Sequence, residues 1–309
     1  MTVATAVSMS ANETAERAQI SARMRGFSLE ATRPTAADVE ALRTVAGPGT
    51  HVYLSAVPGR PLDDILAPAI ALRAASFEPV PHIAVRNFDS AAALDALLGA
   101  LAERARVQRV LVIGGDCDQP AGFFHAAVEA IDSGLLQRHG IVEVGIAGYP
   151  DGHPRLPPLE LDRALAAKIE AAEQSGLGLH IVTQFCFSAE AIVPWLTRLR
   201  DLGIDHPVRV GLAGPTNLAS LLRYAQRCGV KASTLGLARQ TGLARHLFGM
   251  ATPDTIVRPL AEACAGDALG DVALHFFGFG GPVATARWAN GAAAGSFSLD
   301  GTDGFRVEA

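Results

Sequence analysis

The stretch "VGIAGYPDGHP" passes from small and β-branched residues into Tyr149, Pro150, Asp151, Gly152 and His153. Pro and Asp-Gly form turns, which explains part of it. A turn requires neither the Tyr149 phenol nor the His153 imidazole, groups that can face a ligand. Other apolar runs also finish in polar residues: Glu30, Ser55, His82, Asp116, Gln184, the Gly214-Pro215-Thr216-Asn217 loop and Gly278 to Gly281.

Each of these carries a chemical reading beside a plain one. Glu30 follows Phe27-Ser28-Leu29, where a buried carboxyl must be paired, hydrogen-bonded or protonated. It is a general acid whose pKa an apolar setting raises, or an ion-pair partner of Arg33. Asp116 follows Gly114-Gly115, where a tight turn brings backbone close to a ligand, or it caps a turn. Gln184 ends "HIVTQF"; its amide donates and accepts at once, as a heterocycle edge requires, or loop backbone satisfies it. His82 and His153 lack a third ligand at suitable spacing, so no metal site is expected. Cys117, Cys186, Cys228 and Cys264 form no CxxC and suit a reducing cytoplasm. Cys117 and Cys186 read as small apolar residues. Neither "GLAGPTNL" nor "FGFGG" has the pattern of a phosphate-binding loop.

Elements must bring these scattered residues together. The apolar runs are "FSLEA", "HVYLSAV", "VPHIAV", "RVLVIGGD", "VEVGIAGY", "LHIVTQF", "VRVGLAG" and "VALHFFGF", and they alternate with Ala/Leu-rich segments of helical period. Asp89 and Ser90 are N-cap candidates for one such helix, and Gly176 is the C-cap glycine of another. Eight βα units over about 250 residues predict an α/β fold, a single-domain (β/α)8 TIM barrel, with a doubly wound open sheet as the alternative. Barrel chemistry gathers at the C-terminal strand ends, which is where the polar residues stand. The expected division is an N-terminal arm over 1–25, partly helical or frayed, a barrel over 26–295 and a loosely attached tail over 296–309.

Composition narrows the function classes. Apolar residues make up 49% and charged residues 18%, enough for a sizeable core. A net charge of −5, spread along the chain, gives no footprint for nucleic acid. No run approaches the roughly 18 apolar residues of a membrane span. The N-terminus, carrying Glu13 and Glu16, does not read as a signal peptide, so a cytoplasmic location is expected.

Taken in order, the strand ends resemble the methylenetetrahydrofolate reductase family from about Phe27 to Trp288. "AGYPDGHP" resembles Tyr-Pro-Glu-x-His-Pro, "IVTQFCF" resembles Ile-Thr-Gln-Phe-Phe-Phe, and "FSLEATRP" resembles Ser-Phe-Glu-Phe-Phe-Pro-Pro. "PHIAV" and "VLVIGGD" are similar to Pro-His-Leu-Thr-Cys and to the strand closing in Leu-Arg-Gly-Asp. The resemblance implies a barrel that binds FAD and interconverts 5,10-methylenetetrahydrofolate and 5-methyltetrahydrofolate with NAD(P)H as electron donor, as a homo-oligomer. It implies Glu30, Asp116 and Gln184 as catalytic residues that also contact folate, with Asn217 and Leu218 as further substrate contacts. Ser55, His82, Gly115, Asp116, Tyr149, His153 and Lys168 match flavin-binding positions. The chain departs from the family pattern at Gly114 and Gly281, where arginines are expected, and at Leu218, where an aromatic ring is. Those departures leave two alternatives: a flavin-independent or weakly flavin-binding folate oxidoreductase of one-carbon catabolism, and a non-catalytic folate-binding barrel.

Overall fold

The computed structural model describes residues 10–57, 61–227, 250–301 and 303–308. Cys228 and most of the N-terminal residues before Ala11 lie outside the described residues. Every apolar run of the sequence supplies a strand of one sheet: β1 (Ser28–Ala31), β2 (His51–Leu54), β3 (Glu78–Ala84), β4 (Arg109–Ile113), β5 (Glu143–Gly148), β6 (Gly178–Thr183), β7 (Val208–Ala213) and, after a two-residue pair β8 (Thr216–Asn217) and β9 (Met250–Ala251), β10 (Val272–Phe277). The eight longer strands pair in parallel and close in the order β1-β10-β7-β6-β5-β4-β3-β2. This is a (β/α)8 TIM barrel.

The crossover helices form where caps and spacing direct them. In α4 (Ala91–Ala105), the Ser90 hydroxyl accepts from the Ala93 N–H at 3.2 Å, and Leu94, Leu97, Leu98 and Leu101 turn one stripe onto the strands. Helix α7 (Pro158–Gln174) opens on a proline whose missing N–H costs nothing there, and the chain leaves it through Gly176 at φ +66°.

Both chain ends are attached more firmly than their composition suggests. Helix α1 (Ala11–Met24) buries Ile20 and Met24. Its Arg17 and Arg23 guanidinium groups donate to the carbonyls of Gly295 and Cys264, each at 2.8 Å. The tail is a hairpin, β11 (Phe297–Asp300) with β12 (Gly304–Val307), whose Phe297 and Phe305 are buried. Phe305 stacks on Trp288. The Gly and Asp residues that look like a loose end are the turn of that hairpin.

Three apolar clusters form among the described residues, one of them around Phe185 and Leu221. The largest lies between strands and helices, while Tyr53, Val80, Leu111, Val182 and Ile113 fill the lumen. Aliphatic side chains normally pack such a lumen in layers. Here Ser28, His180 and His275 are buried as well.

Candidate active site

Strand β1 carries Glu30 into the mouth of the barrel, and its neighbours decide its charge. The Ser55 hydroxyl donates to one carboxylate oxygen at 2.6 Å. The Nε2 atoms of His275 and His82 stand 3.5 Å and 3.6 Å from the other. Burial alone would raise the pKa of this carboxyl, but His82, His275 and Ser55 together outweigh burial and lower it. Glu30 is therefore a carboxylate at rest, which corrects the expectation of a raised pKa. The setting is polar because β2, β3 and β10 each turn a donor toward it. Arg33 is not among these partners, so the ion-pair reading also fails. Burial keeps His82 below its ordinary pKa against the pull of Glu30.

His275 escaped the sequence reading. It stands inside "VALHFF", and only closure of the barrel brings β10 beside β1. Its Nδ1 lies 2.9 Å from the Ser28 hydroxyl. For Nε2 to donate to Glu30, Nδ1 of the neutral ring must accept from Ser28. The available signal was a histidine at an alternate position of an apolar strand, pointing inward like Glu30.

A second group forms at the ends of β4 and β5. Gly115 adopts φ +97°, and an added Cβ would come within 3.2 Å of the Ala84 side chain, so glycine is required. Asp116 follows, exposed at the rim. Tyr149 and His153 meet edge to face at 5.1 Å. Burial raises the Tyr149 pKa, with the Asp116 charge adding to it, and burial lowers that of His153. Asp116, Tyr149 and His153 thus share one electrostatic neighbourhood. Asp151, the remaining polar member of the stretch, is half-buried, and burial raises its pKa although the Cys186 thiol and the Phe187 N–H contact it. Burial also pushes the Cys186 thiol well up, consistent with an unreactive side chain.

Gln184 leaves β6 beside Tyr149: its backbone N–H donates to Gly148. Its side-chain oxygen accepts from the Phe185 N–H at 3.0 Å, the plainer of its two readings, while its amide nitrogen remains a donor. Lys168 is buried on α7, where its ammonium donates to the Ala147 carbonyl at 3.1 Å, and burial holds its pKa down to about 8. Asn217 caps α9 (Leu218–Arg227), accepting from the Ser220 N–H at 2.8 Å. Leu218 packs against a cluster of Phe185, Phe187 and Leu221. Tyr224 and Phe279, which belong to the same cluster as Leu218, stack at 4.0 Å and 9°. They line a cavity of about 270 Å³ together with Glu30, Thr32, Pro34 and Gly278. Gly114 likewise has a neighbour, Arg86, whose Cδ would lie 3.8 Å from a Cβ built there.

Comparison with known proteins fixes the family. The model of the methylenetetrahydrofolate reductase family matches residues 67–235, more than half of the chain. The chain belongs to the methylenetetrahydrofolate reductase family. Methylenetetrahydrofolate reductase 2 of Saccharomyces cerevisiae is 29% identical over 168 residues, 51% of this chain and 27% of that protein. A probable methylenetetrahydrofolate reductase (NADPH) of Caenorhabditis elegans is 32% identical over 84 residues, covering 27% of this chain and 12% of its own length. Each match therefore spans under a third of the relative's length. Among solved structures, an uncharacterized protein from Clostridium thermocellum that binds two copies of 5-methyl-5,6,7,8-tetrahydrofolic acid superposes with a TM-score of 0.55. That match is 11% identical, covers 84% of this chain and 91% of the other, and supports the fold.

Within the methylenetetrahydrofolate reductase fold of this chain, all the singled-out residues except Lys168 stand at or just past the C-terminal ends of barrel strands. Parallel pairing puts those strand ends on one rim of the barrel. A half-enclosed carboxylate, two imidazoles and an amide donor arranged in that way can bind a heterocycle and move a proton on it.

Proposed function

We propose that this chain is a flavin-dependent oxidoreductase that interconverts 5,10-methylenetetrahydrofolate and 5-methyltetrahydrofolate, with FAD as cofactor and NAD(P)H as electron donor. The observation that carries this reading is the Glu30 carboxylate in its cradle of Ser55, His82 and His275, inside a barrel of this family. A methylene carbon between two nitrogens accepts hydride poorly until one nitrogen is protonated and the ring opens to an iminium cation. Glu30 handles that proton. Because it is ionised at rest, a proton is loaded onto it before delivery, while the Nε2 atoms of His275 and His82, 3.5 Å and 3.6 Å away, orient the carboxylate. In the opposite direction the same carboxylate takes the proton up. Gln184 offers its amide hydrogens to the pterin edge, and Asp116 holds its charge at the rim. The stacked Tyr224 and Phe279 provide an aromatic wall beside Glu30, a surface suited to the remainder of the folate.

The residues at the mouth fit a flavin. Arg86 Nε is buried without a hydrogen-bond partner, and a buried donor of this kind needs an acceptor such as a ring carbonyl or a phosphate oxygen. Ser55, His82, Gly115, Asp116, Tyr149, His153 and Lys168 would hold FAD, with Arg86 as a further guanidinium. Bound there, FAD supplies hydride transfer between nicotinamide and folate. A second reading, flavin held weakly or not at all, is favoured by the Lys168 ammonium, which is already engaged with Ala147.

An absorbance spectrum of the purified protein separates the two. The proposal expects flavin bands, bleaching under anaerobic NADH or NADPH, and recovery when methylenetetrahydrofolate is added. A colourless protein that ignores added FAD yet turns over folate would replace it with the second reading.

A further inference from the structure

Below Glu30 the lumen holds a second set of polar side chains that the chemistry above leaves unused. Glu143, at the start of β5, has one carboxylate oxygen 2.7 Å from His180 Nδ1 and accepts from the Arg109 guanidinium at 2.6 Å. His180 Nε2 lies 2.8 Å from the Tyr53 hydroxyl. Strands β6 and β2 are not neighbours in the ring, so this bond crosses the interior. Space for it is reserved, because a Cβ on Gly145 would lie 2.7 Å from His180 Nε2.

Proton positions along this chain are dictated. The His180 imidazole, 2.7 Å away, is the main influence holding Glu143 at a pKa of about 2, so Glu143 is a carboxylate and only accepts. His180 therefore keeps its hydrogen on Nδ1. Burial keeps its ring neutral, so Nε2 accepts and Tyr53 donates. The phenol is thereby anchored to the far end of the barrel. Its ring meets three imidazoles edge to face: His275 at 4.6 Å, and His82 and His180 each at 6.2 Å. Two of the three, His275 and His82, are the ones that face the Glu30 carboxylate.

We propose that Tyr53 is a positioning residue for Glu30: anchored through His180 to Glu143, its ring sets the orientation of the two imidazoles that govern the Glu30 proton. This rests on the folate reading above. Filling space is not a sufficient account of the array, because an aliphatic side chain would fill the lumen without polar atoms that must each find a partner.

The test is a cycle of variants read in both half-reactions. Tyr53→Phe keeps the ring and removes the anchor. We expect it to slow folate reduction roughly tenfold while nicotinamide reduces the flavin at about the wild-type rate. In a Glu30→Gln background the same change should add nothing, because Tyr53 acts through Glu30. Unchanged folate reduction in Tyr53→Phe, or equal slowing in both backgrounds, overturns the proposal.

Imidazole ¹⁵N NMR of the ligand-free protein gives a readout independent of turnover. Wild-type His180 should appear as the Nδ1–H tautomer, and Tyr53→Phe should move the His275 and His82 signals. A wild-type Nε2–H tautomer at His180, which needs no variant to detect, or His275 and His82 signals unmoved in Tyr53→Phe, overturns the proposal. If the NMR pattern holds and the wild-type protein leaves folate unchanged, the folate reading fails while the positioning of Glu30 by Tyr53 is supported.

Discussion

Glu30 shows how a single side chain takes its character from neighbours that the linear sequence separates. As a carboxylate inside an apolar strand it was legible in "FSLEA", and its strand-end neighbours Ser55 and His82 were legible as polar positions. The sign of its pKa was not, because that depends on donors arriving from β2, β3 and β10, and His275 reads as one more residue of an apolar run. Glu30→Gln should cut folate reduction by about 10² to 10⁴ and leave flavin reduction by nicotinamide intact. Stopped-flow traces of the two half-reactions check this, and equal loss in both would remove the proton-handling role. Lys168 carries a different prediction. Burial lowers its pKa from 10.5 to about 8, so between those values the unfolded chain holds a proton that the folded chain has lost. Its contribution to stability therefore rises with pH across that window, and the penalty is complete below about pH 8. Lys168→Met should stabilise the protein at pH 7 by about 1–3 kcal/mol and flatten its rise in stability between pH 8 and pH 10, measured by urea titration.

At the level of elements, the eight barrel strands were legible because parallel strands covered on both faces write nearly unbroken apolar runs. Ser90 and Gly176 marked their helix ends correctly for equally local reasons: a hydroxyl that reaches the Ala93 N–H, and a glycine free to adopt positive φ. The firm attachment of the chain ends was not legible because their signals are short. In the final hairpin Phe297 and Phe305 alternate with polar residues around a Gly- and Asp-rich turn, and only packing on Trp288 distinguishes that pattern from a loose tail. Helix α1 looks polar along much of its length, and its attachment depends on arginines reaching backbone carbonyls near the other end of the chain. Phe305→Ala should cost about 3 kcal/mol of stability through the cavity it leaves. Chemical denaturation measures that loss. Because the hairpin supplies no residue to the proposed site, the half-reaction rates of the folded variant should stay at wild-type values, and a fall in either would show that the tail is coupled to the site.

For the whole molecule, closure of the ring is the feature on which the site depends, since Glu30 and His275 belong to the first and last strands and meet only across the β1–β10 seam. A chain ending at residue 270 lacks the whole of β10. It should lose cooperative unfolding together with the Glu30 cradle, seen as a broad thermal transition by circular dichroism and rapid proteolysis; a sharp transition would show that seven strands suffice. The same seam has a consequence during synthesis. While the ribosome works from Ala31 toward Val272, β1 has its neighbour β2 on one side and nothing on the other, so the nascent polypeptide carries an unprotected sheet edge throughout that interval. The barrel can seal only once Val272–Phe277 has emerged, and until then that edge is open to pairing with other extended segments.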